Sequence, residues 1–141
     1  MSKDTSRVFS WKTLQMPNNE SVVIAFGYQE GGALSLYDSN HNIFRLDKDG
    51  KVIWQVQRDE RGKLNLQEWN ERALRGEVEE WREPFMSFAL IHQDGRTESS
   101  DSMTWEPGCV VKVSSLNGQD YELDVDKGVI VNVTPHRQRP W

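Results

Sequence analysis

Apolar and polar residues alternate in short runs over most of this chain, and a period of two predicts β-strands. From Val8 onward, Phe9, Trp11 and Thr13 fall on one face of a first strand. Pro17-Asn18-Asn19 marks a turn. The run from Ser21 to Tyr28 is β-branched and almost continuously apolar, as expected of a strand covered on both faces. Gly31-Gly32 breaks it. Residues 33–37 read as another strand with Leu34 and Leu36 in phase, and residues 38–42 as a turn cluster. Residues 43–56 read as a hairpin turning at Asp47 and Gly50. Phe44 and Leu46 share one face of it, as do Val52, Trp54 and Val56 on the return strand.

The second half repeats the theme. Residues 85–91 predict a strand, Gln93-Asp94-Gly95 a turn, and Met103 with Trp105 a further strand. A β-prone run starts at Cys109, and Asn117-Gly118 is a hairpin-turn signal. Residues 44–56 also align without gaps on residues 121–133, with six of thirteen positions identical. Both copies read as strand, polar turn, strand. A weaker echo sets residues 23–35 against 87–99, at a different offset.

Between the halves the period changes. Asn65 can cap a helix, with Glu68 placed to reach back to it. Leu66, Trp69, Ala73 and Leu74 follow at helical spacing. Glu68 with Arg72 and Glu71 with Arg75 are four apart in the favourable order, and Gly76 is a stop signal. The pattern predicts an all-β, mainly antiparallel domain spanning residues 1–141. Its two related meander sheets, from about 8–58 and 85–134, pack as a sandwich or a rolled barrel. One short helix lies near 65–75 within a charged insertion, 59–84, and a Pro-rich tail covers 135–141.

Residues 43–56 present an aromatic, then Leu46-Asp47, a Gly turn and an apolar strand carrying Trp54, in that order. This run resembles a blade motif of quinoprotein-type β-propellers. The sequence of Asp-Gly hairpin, Glu83-Pro84-Phe85 and second hairpin also resembles small bacterial β-domains without an assigned activity. The resemblance implies architecture and no cofactor: a propeller closes with four to eight blades, and this chain has material for two.

The formal charge is −5 and the pI about 5.2, which disfavours a nucleic-acid partner. No apolar run is long enough to span a bilayer, and Cys109, the single cysteine, has no internal disulfide partner. With the polar stretch 1–7 in front, the expected compartment is the cytoplasm.

Catalytic chemistry finds no motif. His41, His92 and His136 lack ligands at metal-binding spacing. Cys109 opens an apolar run and reads as a small buried hydrophobe. Asp47-Lys48-Asp49-Gly50 is explained by turn geometry without calcium. Glu79, Glu80 and Glu83 read as a solvated charged face. No Gly-x-Ser-x-Gly elbow or phosphate-binding loop is present. An enzyme would need groups that converge from afar, such as His92 with a distant Glu.

The surplus is aromatic: six Trp, five Phe and three Tyr. Trp69, Arg72, Trp81 and Trp141 are the expected partner contacts, because Trp and Arg are enriched at interface hot spots. The expectation is a non-enzymatic soluble β-domain, monomeric or homodimeric, acting through protein–protein contact. The alternative is a small-ligand pocket between the sheets.

Overall fold

The alternating runs become ten strands in two five-stranded, mainly antiparallel sheets. The structure is a computed structural model. It describes residues 8–28, 31–57, 71–72, 74–76, 83–116 and 118–132, with Leu36, Val131 and Asn132 through their backbone alone. Sheet 1 holds β1 (Val8–Gln15), β2 (Ser21–Tyr28), β3 (Ile43–Leu46) and β4 (Val52–Gln55) in the order β4-β3-β2-β1-β7. Sheet 2 holds β5 (Phe85–Ile91), β6 (Thr97–Glu98), β8 (Val110–Ser115), β9 (Asp120–Asp124) and β10 (Val129–Asn132) in the order β10-β9-β8-β5-β6. The short β7 (Ser102–Thr104) crosses from the second half of the chain and pairs with β1 in parallel. At the opposite edge Gln57 bridges to Val129. The sheets are thus tied at both edges without closing into a barrel.

Leu14, Val22, Ile24 and Ile43 of sheet 1 pack against Phe88, Leu90, Val111, Val113, Leu123 and Ile130 of sheet 2. The other face of sheet 1 has its own smaller core of Val8, Val23, Ala25, Leu34, Phe44 and Leu46, flanked by Tyr28 and Val52. This double coverage is the reason for the nearly unbroken apolar run of β2.

The two look-alike stretches form the same kind of hairpin, each at one edge of its sheet. Asp47 Oδ1 accepts the Asp49 and Lys51 amides at 2.8 and 2.9 Å. Asp124 Oδ1 accepts the Asp126 and Lys127 amides at 2.9 and 3.0 Å. Their packing differs. Phe44 and Leu46 face the small outer core, whereas Tyr121 and Leu123 face the inter-sheet core. The aligned aromatic faces therefore do not meet across the sandwich. The weaker echo pairs β2 with β5, which hold different places in their sheets.

The hairpins also differ at the tip. In the first, Leu46 pairs with Val52 and Arg45 with Trp54, which leaves Ile53 as an extra, bulged residue. In the second, Asp124 pairs with Val129 and Leu123 with Ile130, with no bulge. The left-handed glycine stands one place later in the second turn, Gly128 rather than the equivalent of Gly50. The bulge turns Trp54 and Val56 toward the inter-sheet core and leaves Val52 with the outer one, so the three do not share the expected face. It also leaves Ile53 exposed while its identical counterpart Ile130 is buried.

A second correction concerns residues 33–37. Leu36–Asn40 is a five-residue helix, α1, not a strand. Ser35 caps it, with Oγ accepting the Asp38 amide at 3.0 Å. Of the helix expected near 65–75, Glu71, Arg72 and Leu74 are helical, and the Arg75 amide bonds the Glu71 carbonyl at 3.3 Å. Residues 65–70 and 73 lie outside the described residues. Among the described residues no helix is long and apolar enough to cross a membrane.

Candidate functional site

β1 and β2 are joined by a tight turn in which Asn18 and Asn19 both take positive φ, 65° and 62°. That twist matches the flanking strands, and Asn tolerates it. The ladder then runs regularly from Gln15↔Ser21 to Lys12↔Ile24. Beyond that point it breaks twice. Ser10 pairs with Ala25 and Phe9 with Gly27, so Trp11 is an extra residue on β1 and Phe26 an extra residue on β2.

The two bulges cancel in register but flip both strands. Val8 packs in the outer core and Leu14 in the inner one, although residues six apart share a face in a regular strand. Phe9 and Thr13 accordingly end on opposite faces, and the face expected for Phe9, Trp11 and Thr13 is broken.

The two bulged residues pack against each other with tilted rings, centroids 4.6 Å apart and planes at 57°. Lys12 sets its ammonium 4.1 Å from the Trp11 ring centroid and pairs with Asp101, the residue before β7. Phe9 is 60% exposed, Trp11 43% and Phe26 37%, so three large aromatics of one strand pair reach water. Bulges commonly re-aim side chains at functional positions. The surface can bind by apolar contact.

Several polar groups among the described residues are used internally. Tyr28 donates to Asp38 Oδ2 at 2.6 Å, and Gln55 Nε2 donates to Asp38 Oδ1 at 2.9 Å. Burial, reinforced by that bond to Asp38, pushes the Tyr28 phenol up. Asn42 is fully buried. Its Nδ2 donates to the carbonyls of Ala25 and Phe85, both at 3.1 Å, and its Oδ1 accepts the Phe85 amide at 2.9 Å. One side chain thereby fastens β2 to the start of β5. Glu83 departs from the solvated face expected of it. It is buried, with its amide on Asn40 Oδ1 at 2.6 Å and its carboxylate accepting from the Ser115 hydroxyl at 2.6 Å.

His92 does meet distant carboxylates. Nε2 lies 3.0 Å from Glu98 and Nδ1 3.5 Å from Glu106. The two acids take opposite edges of the ring, so they do not converge on one point. Among the described residues no group of three His, Cys, Asp or Glu could hold a metal ion. Cys109 packs against the inter-sheet core. At Asp47, the Lys51 amide chiefly, with that of Asp49, holds the carboxyl below the usual range.

Of the partner contacts expected from sequence, Arg72 lies in the helical turn and has interactions of its own. Trp69, Trp81 and Trp141 lie outside the described residues, as do Glu79, Glu80 and His136. The exposed set Phe9, Trp11 and Phe26 escaped sequence reading because regular alternation buries such residues, and no local signal located the paired bulges.

No protein-family model, curated protein or solved structure matches this chain.

Proposed function

We propose that this chain is a non-enzymatic β-domain that acts in the cytoplasm through protein–protein contact, and that Phe9, Trp11 and Phe26 carry the contact. The observation behind this reading is the double bulge that packs Trp11 against Phe26 at the surface. Exposed aromatics at a well-built position act as binding anchors far more often than exposed aliphatics do. A lone cysteine, which rules out an internal disulfide, fits a reducing compartment. The alternative of a ligand pocket between the sheets meets a layer filled by Leu14, Ile24, Phe88, Leu90 and Val113. A ligand there would have to displace packed side chains.

The test is a pull-down from the source cell with wild type and Trp11→Ser. Circular dichroism should show the same β signal for both. Co-purifying polypeptides should be captured by the wild type and lost from the variant. Equal capture by the two would refute Trp11 as the contact.

A further inference from the structure

Resting on the contact surface just proposed, we infer that its occupant is a short proline-containing segment of another protein, bound in an extended polyproline conformation across the rings. Three observations select this occupant.

The first is size. With the exposures given above, side chains of roughly 200 Å² each expose on the order of 300 Å² in all. A stable folded interface buries about 800 Å² per partner, so these side chains supply well under half of what a second folded copy of this chain would need. They suit a few residues of an extended segment.

The second is the state of the backbone. β7 adds to the β1 edge only along Thr13 to Gln15, with the Thr13 amide on the Asp101 carbonyl at 2.9 Å. Past that point β1 is bulged at Trp11 and carries the Lys12–Asp101 ion pair. Bulges and charges are devices that stop strand addition. A partner that demands a regular hydrogen-bonded ladder is therefore disfavoured. A polyproline segment needs no ladder, is already ordered before binding, and docks by its side chains on aromatic surfaces.

The third is charge. Lys12 already occupies the cation seat on Trp11. An incoming Arg or Lys would meet a like charge there, whereas a pyrrolidine ring would meet only the aromatic pair.

The experiment pans a phage-displayed library of random twelve-residue peptides on the wild-type protein, with depletion on Trp11→Ser. Phe9→Ser serves as a second variant, and circular dichroism checks that both fold. The expected outcome is enrichment of sequences with at least two prolines. Synthetic versions should shift the Trp11 indole N–H resonance and bind each variant about tenfold or more weakly. Enriched peptides without proline and with alternating β-branched residues would overturn the inference in favour of strand addition. Trp11-dependent self-association in the ultracentrifuge without peptide enrichment would also overturn it, while leaving the contact surface standing. If neither variant changes any binding, the surface and its occupant both fall.

Discussion

Gly128→Ala is the sharpest probe of how the two hairpins are joined. Gly128 has φ of 75°, and a Cβ there would stand 2.5 Å from Trp54 Cδ2. Trp54 in turn donates its indole N–H to the Val125 carbonyl at 3.0 Å, and Arg45 Nη1 reaches the same oxygen at 2.8 Å. The first hairpin thus grips the turn of the second, and Gly128 is the space the indole occupies. Left-handed backbone costs an L-residue about 1–2 kcal/mol. Moving the indole off its rotamer and its carbonyl adds about 2 kcal/mol. Gly50→Ala is the control: φ is 86°, but no atom lies within 4 Å of the new Cβ. It should cost the backbone strain alone. Urea unfolding at constant m-value should place Gly128→Ala about 2 kcal/mol below Gly50→Ala, a factor of roughly 30 in the unfolding constant. In a Trp54→Leu background the excess should vanish, since the two residues are coupled by contact. Equal costs for the two glycine variants would refute the proposed grip.

Two more outcomes follow from the buried polar groups. Asn42→Ala removes the hydrogen bonds it makes to the Phe85 amide and to two carbonyls in the interior, so unfolding should become easier by about 3 kcal/mol, read from the urea midpoint. The Tyr28 phenol is raised in the folded state, so its contribution is intact below the ordinary tyrosine pKa of about 10 and is lost as pH climbs through the folded value. Between pH 8 and 11, wild type should lose more stability than Tyr28→Phe; equal losses would show that burial and Asp38 do not govern this group.

Much of the architecture was legible because strand alternation and turn residues agree. The Asn18-Asn19 turn, the two Asp-led hairpins and the doubly covered β2 all stand where their residues imply. What failed was phase. A bulge inserts one residue without changing composition, and one residue exchanges the faces of everything beyond it. That is how Trp11 came to water, how Trp54 parted from Val52, and how Ile53 and Ile130 acquired opposite surroundings. α1 had a readable signal: Ser35 with Asp38 three places on is a helix-start pattern, and the alternation of Leu34 and Leu36 outweighed it. The His92–Glu106 and Asn42–Phe85 contacts had none, because chain separation hides groups that only folding brings together.

The claim that the bulged end of β1–β2 meets another polypeptide is tested most directly by photo-crosslinking in the source cell. A benzophenone side chain would replace the exposed Ser10 beside Trp11, which keeps the aromatic pair intact, and in a parallel sample the exposed Ile53. A discrete crosslinked species is expected from position 10 and none from position 53. Crosslinking from both positions alike, or from neither, would contradict it.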